Sequence, residues 1–141
     1  MTDGMNLQRF ERAQNGVYDT ALKEIRNGDK RSHWMWFVFP QLRGLGKSEM
    51  ATFYGIADLN EAKAYLAHPV LGARLLECCE AVLLNKNKTA HEIFGGIDAK
   101  KLRSSMTLFL VASDKNAVFQ EVLDRFYGGK KDGATLKILN L

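Results

Sequence analysis

The chain is predicted to be all-α, a compact multihelical domain with one or two buried central helices, and three observations carry that expectation. Apolar residues recur at helical rather than alternating spacing along most of the 141 residues. Only two prolines, Pro40 and Pro69, interrupt the pattern. The run Met106-Thr107-Leu108-Phe109-Leu110-Val111-Ala112 is apolar nearly all round, as suits a helix enclosed by others. A chain of this length hides roughly two-thirds of its unfolded surface, so one domain over 1–141 is expected, with residues 1–5 unordered.

The first periodic segment spans about 6–26, and Gly16 is placed to divide it. Val17, Tyr18, Ala21, Leu22 and Ile25 share a stripe opposite Asp19, Lys23 and Arg26, and Asn27-Gly28 supplies the stop. Ser48 reads as the N-cap of a helix reaching Tyr54. Asp58 or Asn60 opens the next, which closes near His68 because Pro69 disfavours helical geometry in its predecessor. Pro69 itself suits the first turn of the following helix. There Leu71, Leu75, Cys78, Cys79 and Val82 face one way, Arg74, Glu77 and Glu80 the other, with an end around 85–87.

A short helix over Ala90–Phe94 ends at Gly95-Gly96, and Asp98 is expected to cap a longer one reaching about Ala112. Asp114 is expected to cap another, with Val118, Phe119, Val122, Leu123 and Phe126 inward and Gly128-Gly129 as the stop. A last turn or two over 135–139 brings the expectation to seven or eight elements.

Composition narrows the function classes. With 46% apolar and 26% charged residues the balance is that of an ordinary globular protein. The net charge of +4 is spread along the chain, and its densest groupings, Lys30-Arg31 and Lys130-Lys131, are too short to neutralise a run of phosphates. Nucleic acid is therefore the least expected partner, whereas a small anionic ligand is compatible. The cysteines, Cys78 and Cys79, are adjacent, a poor geometry for a bridge, which points to a reducing compartment. Met1-Thr2-Asp3-Gly4 carries neither the basic nor the apolar region of a secretory signal, and the apolar run 34–39 is far short of the ~20 residues that cross a bilayer. These features predict a cytoplasmic protein with no membrane contact.

Three segments are candidates for chemistry. Ser32-His33-Trp34-Met35-Trp36-Phe37-Val38-Phe39-Pro40-Gln41 holds both tryptophans. Trp34, Phe37 and Phe39 are accounted for as core. His33, Trp36 and Gln41 are less easily explained that way: an indole stacks on a planar ring and a rim amide fixes its orientation. Gly44-Leu45-Gly46-Lys47-Ser48 mimics a phosphate-binding loop, but Gln41 stands where that motif needs its first glycine. What survives is Lys47, with the amides of the following helix, as a holder of one phosphate; a glycine-rich connection with a Ser cap is the simpler account.

In Lys100-Lys101-Leu102-Arg103-Ser104-Ser105-Met106 the two lysines are expected in solvent and Arg103, Ser104 and Ser105 deeper. A buried guanidinium must meet a carboxylate, carbonyls or a ligand anion. An internal ion pair is the first expectation for Arg103, and an anion site with hydroxyls beside it the functional one. His33, His68 and His91 are far apart and no metal-binding spacing occurs, so no metal and no cofactor are expected.

The chain resembles the bacterial family known as domain of unknown function 1810, some members of which are labelled calpastatin. The resemblance rests on Phe10-Glu11-Arg12-Ala13-Gln14, the block from Ser32 to Gln41, Gly44-Leu45-Gly46, Tyr65-Leu66 with His68-Pro69-Val70-Leu71-Gly72, Ile93-Phe94-Gly95, and Lys101-Leu102-Arg103-Ser104-Ser105-Met106-Thr107-Leu108-Phe109. It implies a multihelical fold with central buried helices, and no established activity. The family is in turn distantly similar to the NADAR-type proteins, which act on ADP-ribose-like or phosphorylated ribose compounds; no catalytic residue carries over.

The functional expectation is a pocket for a small phosphorylated, nucleotide- or ADP-ribose-like ligand. His33, Trp36 and Gln41 would line it, Lys47, Arg103 and Ser105 would supply anion contacts, and His33 is the candidate for proton transfer. The alternative is a non-catalytic protein-interaction module in which the same residues are core and caps.

Overall fold

A computed structural model describes residues 6–114 and 116–141. The expectation for residues 1–5 lies outside them. Among the described residues the fold is all-α, with ten helices and no strand beyond one isolated parallel bridge between Leu42 and Ile56. The helices are α1 (Gln8–Gln14), α2 (Tyr18–Arg26), α3 (Met35–Val38), α4 (Glu49–Phe53), α5 (Leu59–Ala67), α6 (Leu71–Leu83), α7 (Ala90–Phe94), α8 (Gly96–Ala112), α9 (Ala117–Tyr127) and α10 (Gly133–Ile138). None is long and apolar enough to cross a membrane.

The expected central helix is α8, which packs against α5, α7, α9 and α10. Every residue from Ser104 to Leu110 is buried. Enclosure on every side explains why Met106, Leu108, Phe109 and Leu110 point in different directions yet are all apolar. Around it the buried apolar residues form one cluster, with Trp34, Tyr65, Phe10, Phe39, Phe109 and Phe119 as its largest fully buried members. The run 34–39 is helical in its middle, with α3 covering Met35–Val38.

Several caps fall where the sequence places them. Ser48 accepts from the Ala51 N–H at 3.1 Å, and Asp58 from the Glu61 N–H at 2.8 Å. Others differ. Asp98 is not a cap, because α8 begins at Gly96, directly behind α7, and Asp98 sits inside its first turn. Asn116, not Asp114, caps α9, accepting from the Val118 N–H at 3.0 Å.

Pro69 lies ahead of α6 rather than in its first turn, and the start of that helix is capped by an imidazole. His68 Nδ1 accepts from the N–H groups of Val70 at 3.1 Å and Leu71 at 3.2 Å. Its Nε2 lies 3.0 Å from Glu11 Oε1, so Nε2 carries the proton and ties α6 to α1. Behind this turn Gly72 lets α6 approach α5 closely: a Cβ there would stand 2.1 Å from the Leu66 carbonyl oxygen.

Candidate functional site

The loop leading into α3 is organised by one carboxylate. Glu24, on α2, accepts through Oε1 from the N–H groups of Arg31 (3.0 Å) and Ser32 (3.1 Å) and from the Trp34 indole (2.8 Å), while Oε2 accepts from the Ser32 hydroxyl (2.7 Å). Partial burial pushes this carboxyl up, but the N–H of Arg31, the Trp34 indole and the two Ser32 donors together hold it down to about 2. Trp34 is thereby locked in the core, leaving His33 exposed and Trp36 half-buried.

Beside Trp36 lies an open groove of about 450 Å³ between α3 and the start of α8. Its walls include His33, Trp36, Phe94 and Ile97, and its charged groups are Lys30, Asp98 and Lys101. Lys30 Nζ is 2.8 Å from Asp98 Oδ2 and donates to the Ser32 carbonyl at 2.6 Å. Lys101 Nζ is 3.6 Å from Asp98 Oδ1 and 4.9 Å from the centre of the Trp36 ring. Two ammonium groups thus face one carboxylate, leaving a positive surplus next to an aromatic surface. Such a surface suits a flat molecule carrying negative charge.

The residues expected to form one site are not all brought together. His33 and Trp36 share the groove. Gln41 meets Trp36 in an adjoining crevice with Phe39, Tyr54 and Lys101, whose roughly 10 Å³ holds no more than a water. Lys47 is exposed ahead of α4 and lines neither space. The glycine beside it serves packing: a Cβ at Gly46 would come 2.6 Å from the Ala51 Cβ.

Arg103 requires a correction. It is half-buried rather than embedded, and its donors meet carbonyls rather than a carboxylate. Its Nε and Nη2 donate to the carbonyls of Lys130 (2.9 Å) and Lys131 (2.8 Å). The neighbouring polar groups of α8 serve the same strand of chain. Thr107 Oγ1 accepts from the Asp132 N–H at 2.9 Å, and Ser104 Oγ donates to Asp132 Oδ2 at 3.1 Å. Asp132 in turn caps α10 through the Thr135 N–H at 3.0 Å. The polar face of α8 is therefore a strap for the connection between α9 and α10. Ser105 points into the core, fully buried, with its Oγ unpartnered.

The lysines of the groove were the missed signal. Lys30 belongs to a basic pair too short for nucleic acid, and Lys101 to a pair expected in solvent, yet their side chains are only 7% and 20% exposed. The buried guanidinium is Arg9, paired with Glu61, and not Arg103. A larger hollow of about 790 Å³ lies near the end of α8, with Leu110, Val111, Ala117, Leu136 and Leu141 in its lining. Its walls are mostly apolar but also carry Asp114, Gln120, Glu121 and Lys131, and its lining has neither a histidine nor an aromatic ring.

Other reactive groups are out of play. Burial pushes the Cys78 thiol up to about 12 and raises Cys79 well above its ordinary value, which disfavours the reactive thiolate in both. Among the described residues no three His, Cys, Asp or Glu side chains gather as metal ligands.

The fold is shared with a solved structure. The crystal structure of the conserved hypothetical protein Rv1873 from Mycobacterium tuberculosis is 50% identical, covers 99% of each chain and superposes with a TM-score of 0.96. No curated protein matches the chain. The family described as a protein of unknown function, DUF1810, matches residues 4–139, and the chain belongs to it.

Proposed function

We propose that the groove between α3 and α8 binds a small phosphorylated, nucleotide- or ADP-ribose-like molecule. The observation that carries this reading is the half-buried Trp36 indole, with the Lys101 ammonium over its ring, beside an open space of about 450 Å³. That volume falls within the range of roughly 300–1,000 Å³ typical of small-ligand sites. The indole would stack on the planar part of the ligand. Lys101, with Lys30 behind it, would attract the anion, and His33 at the rim is the one imidazole placed for proton transfer. Two buried free thiols fit a reducing, cytoplasmic setting.

The test is thermal unfolding against adenosine 5′-monophosphate, ADP-ribose and simple sugar phosphates, with Trp36 fluorescence followed in parallel. A ligand at about a hundred times its Kd adds about 2.7 kcal/mol of stability. That shift should vanish in Trp36→Ala. No stabilisation by any of these compounds would overturn the reading.

A second reading, a non-catalytic interaction module, draws on the apolar hollow of about 790 Å³ at the end of α8. Under it, Leu136→Asp would abolish partner capture while Trp36→Ala would not.

A further inference from the structure

We propose that Lys101 determines the specificity of the groove, rejecting uncharged planar rings and admitting those that bring their own anion. This rests on the groove being a ligand site, and it deepens that reading by naming how the ligand class is selected.

The Trp36 ring is not free. Met35, Phe39, Gln41 and Tyr54, with Lys101 itself, border the crevice of roughly 10 Å³ beside it, which has no room for a second ring. A planar ligand must come from the groove, and there it meets Lys101, whose Nζ already lies 4.9 Å from the ring centre. Stacking therefore displaces an ammonium from an aromatic surface, a loss that a neutral ring does not replace.

An anionic ligand changes the balance. Lys101 is held to Asp98 only at 3.6 Å, whereas Lys30 holds the same carboxylate at 2.8 Å. When Lys101 swings away, Asp98 keeps its closer partner and no buried charge is left alone. The freed ammonium then meets the phosphate, and that charge-assisted contact compensates for the lost ring. Lys101 is thus a guard that exchanges its place on the indole for a place on the anion. Lys30 cannot do the same: its side chain is 7% exposed, and it is bound to both Asp98 and the Ser32 carbonyl.

The experiment compares adenosine with adenosine 5′-monophosphate on the full chain by titration calorimetry, in the wild type and in Lys101→Met. The wild type should bind the nucleotide at least tenfold more tightly than the nucleoside. In the variant the nucleotide should weaken roughly tenfold, the scale of a hydrogen bond to a charged group. The nucleoside should tighten about twofold to fivefold, because the ring is uncovered. Opposite signs for the two ligands are the signature of an exchanged guard.

Equal weakening of both, or no change in either, overturns the proposal while leaving the binding site standing. Absence of nucleotide binding to the wild type overturns the site and the guard together. Lys101→Gln repeats the comparison if the methionine variant unfolds early, and Lys101→Arg, which keeps the cation, should keep the preference.

Discussion

Arg9 and Glu61, 52 positions apart, form an ion pair enclosed on all sides, with 5% and 3% of their side chains exposed. Arg9 Nη2 lies 3.0 Å from Glu61 Oε1, and the remaining N–H groups reach Glu61 Oε2 and the carbonyls of Asn6, Phe53 and Gly55. Glu61 Oε1 also accepts from the Ala57 N–H at 2.9 Å. Every donor of the guanidinium is used, and α1 is thereby fastened to α5 and to the chain between α4 and α5. Removing either partner leaves an uncompensated buried charge. Glu61→Gln and Arg9→Ala should each cost about 3–5 kcal/mol in urea unfolding. The apolar pair Arg9→Met with Glu61→Leu should cost less than the sum of the two.

Glu24 sets an acid limit. Its carboxyl is held at about 2 against an ordinary 4.5, so its contribution is complete above the ordinary value and is lost as the pH falls toward about 2. Because the group is only partly buried and water screens it in part, about 1–2 kcal/mol of stability should disappear across that interval. In Glu24→Gln this part of the pH dependence should be absent, which unfolding midpoints taken between pH 5 and pH 2 would show.

Arg103 has a structural assignment that separates it from the groove. Arg103→Ala should lower stability by about 1–2 kcal/mol, through two lost hydrogen bonds to carbonyls at a half-exposed site. It should leave nucleotide affinity unchanged. A loss of affinity without loss of stability in calorimetry would contradict this assignment.

Neighbouring serines should behave in opposite ways. Ser105 Oγ is buried without a partner, so Ser105→Ala should be neutral or stabilise by up to about 1 kcal/mol. Ser104 Oγ bonds Asp132 and the Lys100 carbonyl, so Ser104→Ala should destabilise by about 1 kcal/mol. Thermal midpoints of the two variants, measured side by side, decide the matter.

Much of the fold was legible because its signals are local. Ser48 and Asp58 are short polar side chains ahead of apolar periodicity, and they cap the helices they precede. The enclosed stretch of α8 could be read from its uniform apolarity. The site was less legible, because it depends on which face of a helix another segment covers. Arg103 sits among buried residues, yet the chain around 130–132 that lies over its own face supplies carbonyls instead of an acid. Arg9 gave no warning, since α1 is rich in polar residues and its acidic partner is distant in sequence. The cap on α6 was hidden for a different reason: an imidazole is not among the usual capping side chains, and only the turn at Pro69 aims it at two amides.

Helix α10 buries a single residue, Thr135, and is tied to α8 mainly through Asp132 and the carbonyls ahead of it. Lifting it away exposes little apolar surface and breaks only a handful of polar links. The amide protons of Gly133–Ile138 can therefore exchange with solvent by a local opening, long before those of α8. Protection from hydrogen exchange should therefore fall off in a step at the α9–α10 connection.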